Sequence, residues 1–301
     1  MQTAQLSVVG LGLMGSAIAR RLLATGFRPC VYNRTREKAD ALAADGGRVA
    51  DTPRAAVADA DVVVLSLSDE TAVEQMLFGE LLTHLRPGVT VVDASTVSPS
   101  YARTAAQRLA AARVRLVEAC LIGNPEMARV GRLRVLAAGD RQDLESVQDV
   151  LAAIGGLGVR YIGPPGAACT LKLAFNLLLG AQTVALAEAV SVTTAAGIDR
   201  DLVITAITES GFSSPVLGFR AEFVRGRRYN PAAFRARLME KDLRLLVREG
   251  AGSRLALPLA ECAAGRFTDV VRAGEGDADA AVVAELPELT QERIDGKEIR
   301  T

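Results

Sequence analysis

QLSVVGLGLMGSAIAR, residues 5–20, decides how the rest of the chain is read. Residues 5–10 form a short, nearly continuous apolar run that ends in GLGLMG at 10–15, and a helical pattern follows over 14–25. Strand, glycine turn and helix thus come in direct succession. Each glycine of a G-x-G-x-x-G in that setting has its own task. Gly10 permits the tight turn, Gly12 lets backbone approach a pyrophosphate, and Gly15 allows close helix–strand packing. Leu11, Leu13 and Met14 complete the loop, and the helix N-terminus presents unbonded N–H groups to an anion. The segment reads as the phosphate-binding turn of a dinucleotide site.

Outward from it, short apolar runs alternate with longer helical patterns as far as residue 163. Residues 61–66, 89–93, 114–118 and 133–138 read as buried strands, and 28–32 as a weaker one. Near-continuous apolar strands separated by helices indicate a parallel sheet covered on both faces, a doubly wound α/β domain.

The end of the second strand reaches the adenine ribose in such a domain. A site for NAD wants an acid there to take the 2′-hydroxyl. Here the residues are Asn33, Arg34 and Thr35, and no acid appears before Glu37. Arg34 has planar donors suited to a phosphate, and Asn33 and Thr35 add neutral hydrogen bonds. NADP(H) is therefore expected in preference to NAD(H). Two polar loops, SLSD at 66–69 with Leu67 and Ser68, and DASTVSP at 93–99 with Ser95 and Thr96, follow strands where open α/β sheets bind ligands. Ser95 and Thr96 read equally well as caps for a helix from about 99.

GPPG at 163–166 breaks the pattern and marks a domain boundary. The apolar stretch 167–197 is long enough to cross a membrane. Lys172, Asn176, Gln182 and Glu188 inside it, and the lack of a flanking basic cluster, favour a helix buried on most sides, with a second chain covering the remainder. Lys172 and Asn176 stand four apart on one helical face. A buried ammonium is costly unless paired or functional, and desolvation makes it a usable proton donor or acceptor. The bland alternative, a lysine that snorkels to the surface, stays open on spacing alone. Farther on, 199–210, 216–225 and 237–250 look helical, with Lys241 and Asp242 in the last of these on what reads as a solvated face. The polar stretch 287–301 reads as a weakly ordered tail.

Composition closes off other classes. Half of the 301 residues are apolar, enough for a sizeable core. Lys plus Arg and Asp plus Glu are both 35, a balance that argues against a nucleic-acid partner. The single histidine, His84, leaves no basis for a His-pair metal site or a His–Asp relay, so no metal is expected. Cys30, Cys120, Cys169 and Cys262 lack C-x-x-C spacing and read as reduced thiols. With no evident signal peptide, a cytoplasmic location is expected.

Taken in order, GLGLMGSAIA at 10–19, NRT at 33–35, DASTVSP at 93–99, the glycine-containing 122–138, LKLAFN at 171–176 and KDL at 241–243 resemble the β-hydroxyacid dehydrogenase family. The likeness is close to its 3-hydroxyisobutyrate dehydrogenase-like, glyoxylate and succinic semialdehyde reductase branch, and covers roughly residues 5–285. The resemblance implies an N-terminal Rossmann domain over 1–163 and an all-α domain over 164–286 that begins with a long linking helix and serves substrate binding and dimerisation. It implies a homodimer or larger homo-oligomer. It makes Lys172 the catalytic lysine and Asn176 the polar residue that helps hold it and the substrate. Thr96 matches the residue beside the nicotinamide, Lys241 a cofactor contact, and Phe234 and Asp242 positions that close over the substrate.

The substrate loop departs from the family. Where a Ser-Gly-Gly or Ser-Gly-Ser run is usual, this chain has Ile122, Gly123 and Asn124, then Pro125 and Met127. The loss of a hydroxyl donor points away from a small 3-hydroxy acid, toward an acceptor that is larger, less charged or held differently. The expected reaction is hydride transfer between NADP(H) and an aldehyde, keto acid or hydroxy acid. Two other readings remain: an imine reductase, toward which VYNRT at 31–35 and the altered 122–127 segment lean and against which Lys172 counts, and a cofactor-bound scaffold without activity, which the changed Ile122 allows and against which Lys172 and Asn176 count.

Overall fold

The computed structural model of the protein describes residues 5–289. These divide into two compact units, with the division between Lys172 and Leu173. The tail expected over 287–301 lies outside the described residues from 290 onward.

The first unit alternates strand and helix: β1 (Leu6–Val9), α1 (Leu13–Ala24), β2 (Cys30–Tyr32), α2 (Arg36–Ala43), β3 (Arg48–Val49), α3 (Pro53–Val57) and β4 (Val62–Leu65). Then come α4 (Glu70–Val73), running on as a π-helical stretch over Glu74–Leu81, and β5 (Thr90–Asp93), α5 (Pro99–Ala111) and β6 (Arg115–Ile122). After these lie α6 (Pro125–Arg129), β7 (Arg134–Gly139), α7 (Arg141–Ser146), α8 (Gln148–Gly155) and β8 (Val159–Gly163). The strands form one eight-stranded sheet in the order β3-β2-β1-β4-β5-β6-β7-β8.

Alternation of side chains builds a core on each face. Val63 and Leu65 enter one apolar cluster with Leu77, Val91 and Leu109; Val62 and Val64 enter the other with Ile18, Leu22 and Leu151. Each fully buried Leu, Ile or Val contributes on the order of 1.5–3 kcal/mol.

The all-parallel expectation needs one correction: β7 runs antiparallel to β6, and β8 is parallel to β7. The connection between β6 and β7 holds only the short α6, too little chain for the crossover that a parallel pair requires. Strands β3 and β8 are absent from the sequence reading. Both lie at sheet edges, where polar residues such as Arg48 and Arg160 interrupt the apolar run. Strand β6 continues to Ile122, four residues past its expected end, because the buried acid Glu118 interrupts the apolar pattern without ending the strand.

Helix α9 (Ala167–Ala195) accounts for the long apolar stretch. It is long and apolar enough to cross a membrane, yet 44% of its most apolar window is buried inside the protein. Burial is one-sided: Val184, Leu186, Ala187 and Val190 enter the second unit's core, whereas Phe175, Leu178 and Val192 are 43%, 58% and 66% exposed. That corrects the expectation of burial on most sides.

In the second unit follow α10 (Arg200–Thr208), α11 (Pro215–Gly226), α12 (Ala236–Gly252), α13 (Pro258–Arg272) and a 3-10 turn over Ala280–Glu285. Its core gathers Ile204, Ala221, Met239, Leu243, Phe267 and Val283. Helix α13 is absent from the sequence reading, although Pro258 in its first turn is a start signal.

Candidate functional site

Residues at the carboxyl ends of β2, β1, β4 and β5 share one edge of the sheet, since Tyr32, Val9, Leu65 and Asp93 are successive register partners. The loops leaving that edge hold the glycine turn at 10–15, Arg34 with its neighbours Asn33 and Thr35, Ser68, Ser95 and Thr96. Gly10 has φ +92°, and a Cβ there would collide with the Ser66 carbonyl. A Cβ at Gly15 would collide with the Gly10 carbonyl, so α1 leaves close against its own strand. A Cβ at Gly12 meets nothing. The protein itself leaves that space open, as a cradle for a pyrophosphate requires.

Helix α1 begins at Gly12 with no side-chain cap and no acid in its first turn. Its N-terminal N–H groups therefore face that space without a competing anion. Leu11 is buried, its N–H donating to Asn33 Oδ1 at 2.9 Å, and Ser16 Oγ donates to the Leu11 carbonyl at 3.0 Å. Leu13 is exposed and Met14 half-buried.

Asn33 is thereby committed to the protein: its carboxamide holds Leu11 and donates to the Thr35 carbonyl at 3.0 Å. That leaves Arg34, which is exposed and makes no side-chain bond among the described residues, and Thr35, which opens α2 without using its hydroxyl as a cap. At the next loops, Leu67 N–H donates to Ser95 Oγ at 3.0 Å, and Ser95 N–H donates to Asp93 Oδ1 at 2.8 Å. Ser95 is a buried brace between two loops, and Thr96 beside it is half-buried. The cap of α5 is Ser98, whose Oγ accepts from Tyr101 N–H at 3.1 Å, so neither Ser95 nor Thr96 caps that helix. Ser68 Oγ donates to Asp69, which itself caps α4.

Ile122, Gly123 and Asn124 stand farther out. Glu118 pairs in register with Asp93, and β6 runs four residues beyond that point, about 13 Å of extended strand. Gly123 has φ +137°, and Asn124 caps α6 by accepting from Met127 N–H at 2.9 Å. Asn124 thus keeps its NH2 group for other partners.

Lys172 is half-buried in α9, one turn before Asn176. In the second unit, Asn176 and Asp242 are each 2% exposed and joined by a bond from Asn176 Nδ2 to Asp242 Oδ2 at 2.5 Å. The Lys241 ammonium lies 3.0 Å from Asp242 Oδ1. Asp242 therefore does not belong to a solvated face; its charge is buried and balanced by its neighbour. Phe234, half-buried, is held through its backbone: its N–H and that of Ala233 donate to Asp279, which also takes the Arg220 guanidinium at 2.5 and 2.6 Å.

Residues missing from the sequence reading include Glu118, which accepts the N–H groups of Gly166 and Cys169, and the contact of Cys120 with Cys169, Sγ to Sγ 3.7 Å. The neighbouring thiol and burial together push the Cys169 thiol well up, so it stays protonated. Asp279 with Arg220 is the other omission. An acid inside an apolar run was the available signal for Glu118.

The model of the NAD binding domain of 6-phosphogluconate dehydrogenase matches residues 5–163. The model described as NAD-binding of NADP-dependent 3-hydroxyisobutyrate dehydrogenase matches residues 166–286. Glyoxylate/succinic semialdehyde reductase 1 of Arabidopsis thaliana is 28% identical over 292 residues, 96% of this chain and 100% of that protein. An uncharacterized oxidoreductase of Bacillus subtilis, YfjR, is 30% identical over 285 residues, 93% of this chain and 98% of its own length. The crystal structure of 3-hydroxyisobutyrate dehydrogenase from Salmonella typhimurium superposes with a TM-score of 0.87 at 28% identity, covering 94% of this chain and 99% of that one.

Proposed function

The chain belongs to the 3-hydroxyisobutyrate dehydrogenase-like family of NAD(P)-dependent oxidoreductases, and on that premise we propose that it transfers hydride between NADP(H) and an aldehyde, keto acid or hydroxy acid, with Lys172 as general acid and base. The observation that carries the reading is the anchoring of Lys172. Cys169, three residues earlier, is bonded to Glu118 on β6, the register partner of Asp93 at the carboxyl end of β5. That is the sheet edge from which the dinucleotide loop leaves.

The cofactor fits the residues present: the open space at Gly12, the uncapped start of α1, and Arg34 with Thr35 at the start of α2. A 2′-phosphate beside Arg34 gains charge-assisted hydrogen bonds that a 2′-hydroxyl does not. Asn33, committed to Leu11, shapes the loop rather than meeting the phosphate. Bound nicotinamide supplies or accepts the hydride. Lys172 does the proton work: its ammonium steadies the charge that develops on the carbonyl oxygen and protonates it, and in the reverse direction its amine takes the hydroxyl proton. Asn176, held by Asp242, presents a fixed carboxamide for hydrogen bonding to substrate, and Lys241 neutralises Asp242. Ile122 in place of a hydroxyl donor favours acceptors with an apolar or extended chain next to the carbonyl.

A homodimer or larger assembly belongs to the same reading. Phe175, Leu178 and Val192 on α9, Leu202 on α10 and Phe212 just after it are large apolar residues left exposed in the second unit. Such side chains in quantity mark a surface that another chain covers.

The test is NADPH oxidation against a panel of short and long semialdehydes, 2-keto acids and cyclic imines. Turnover of carbonyls that is lost in Lys172→Ala supports the reading. Imine turnover that survives the same change supports an imine reductase instead, and tight NADPH binding with no turnover at all supports a scaffold.

A further inference from the structure

Glu118 is a carboxylate in the middle of a central strand, 3% exposed. An anion so placed is costly unless its oxygens are bonded. Both are. One oxygen accepts the Gly166 N–H and the other the Cys169 N–H at 3.1 Å. These are the residue just before α9 and the third residue within it. The first N–H groups of a helix have no partner inside it, and the helix dipole favours negative charge there. A 29-residue helix thus begins on a buried acid.

The grip has a second point. Cys120, two residues after Glu118 and on the same face of β6, lies with its thiol 3.7 Å from that of Cys169. The Thr170 hydroxyl closes the turn by donating to the Gly166 carbonyl at 2.8 Å. Donor atoms of Glu118, Cys120 and Cys169 lie within 4.8 Å of one another, a spacing that could hold a cation. With both carboxylate oxygens bonded to N–H groups and the Cys169 thiol held protonated, the cluster works instead as a clamp.

We propose that Glu118 is a positioning residue: by fixing the first turn of α9 to β6, it sets where the Lys172 amine stands. Lys172 follows Cys169 by three residues, about 4.5 Å of helix and close to one full turn, so the clamp and the amine share a side of the helix. A shift of the first turn is therefore passed directly to the amine. The inference rests on the reading of Lys172 as proton donor given above.

The experiment compares Glu118→Gln with the wild type. The amide keeps the shape of the carboxylate but turns an NH2 group toward a backbone N–H that needs an acceptor. Hydrogen exchange at the 166–170 amides should accelerate about tenfold or more, while the Kd for NADPH stays within about twofold. In turnover of the best carbonyl of the panel, kcat should fall by about tenfold or more with KM nearly unchanged, the pattern of a lost transition-state interaction. In a Lys172→Ala background, adding Glu118→Gln should change the residual rate by less than about twofold. Should Glu118→Gln fail to fold, Glu118→Asp, which keeps the charge and withdraws it by one methylene, takes its place with the same readouts.

Faster exchange with an unchanged kcat overturns the proposal, as does an effect that multiplies fully with that of Lys172→Ala. A concerted loss of NADPH binding and thermal stability also overturns it, since that is a merely structural role. Wild-type turnover in Lys172→Ala alone is a different failure, that of the lysine reading, and is seen without any change at Glu118.

Discussion

Gly12 and Gly15 stand three residues apart in one loop and answer to different constraints. Gly15 is required by the protein, because a Cβ would strike the Gly10 carbonyl, whereas Gly12 borders open space at the start of α1. Gly15→Ala should therefore lower stability by the upper end of the about 1–3 kcal/mol typical of overpacking, read as a fall in the denaturation midpoint. Gly12→Ala should melt at the wild-type temperature and yet bind NADPH at least about tenfold more weakly, because the new methyl fills the phosphate cradle. Wild-type affinity in Gly12→Ala would place the pyrophosphate elsewhere. Arg34→Ala should cost about 1.5–3 kcal/mol of NADPH affinity, the loss of charge-assisted bonds, with little effect on NADH; equal losses for both cofactors in a titration would contradict the proposed preference. Lys172→Ala should lower kcat on the order of 10²–10⁴-fold while leaving the Kd for NADPH unchanged. Such residues stand out in a sequence because a glycine-rich turn between strand and helix, a lysine inside an apolar helix and an arginine just after a strand each make a specific chemical demand. The sequence singles out both Asn33 and Leu11 but not the bond between them, since a bond between positions 22 apart depends on how β1 and β2 pair.

At the scale of elements, β6 and α9 carry the argument. Pattern reading ends β6 at Glu118 because charge inside an apolar run signals the end of a strand; the strand continues because the charge is met from α9. The same lesson applies to the start of α5, where the sequence offers Ser95 and Thr96 as caps. Ser98 takes that role, and Ser95 instead ties the loop after β4 to the loop after β5. In the second unit, Asp279 holds the segment before α12 by accepting from Ala233, Phe234 and Arg220. Asp279 and Arg220 are almost fully buried. Asp279→Ala strands the guanidinium and should destabilise the protein by about 3–5 kcal/mol in chemical denaturation, with Phe234 released at the same time. A loss below about 1 kcal/mol would mean that the pair is not a clamp. Neither half of this pair stands out in the sequence, because Arg220 and Asp279 look like ordinary surface charges until α11 and the 3-10 turn bring them together.

At the scale of the whole molecule, the exposed apolar stripe on α9 decides what assembly is expected. Phe175, Leu178 and Val192 recur at helical spacing on the uncovered side. A Leu178→Glu, Val192→Glu double variant should sediment as a smaller species than the wild type, and its melting temperature should lose its dependence on protein concentration. Identical sedimentation of the two would remove the stripe from the interface. What the sequence by itself determined is the α/β class of the first unit, the place of the dinucleotide turn and the apolar character of α9. These follow from local periodicity and from residues whose backbone demands are met within a few positions. Tertiary structure alone decided the reversed direction of β7, the edge strands, the burial of Asp242 beside Asn176 and the seating of α9 on Glu118. The last two depend on a polar group finding its partner far along the chain, and a buried charge is tolerated or excluded according to that partner, which local pattern does not contain.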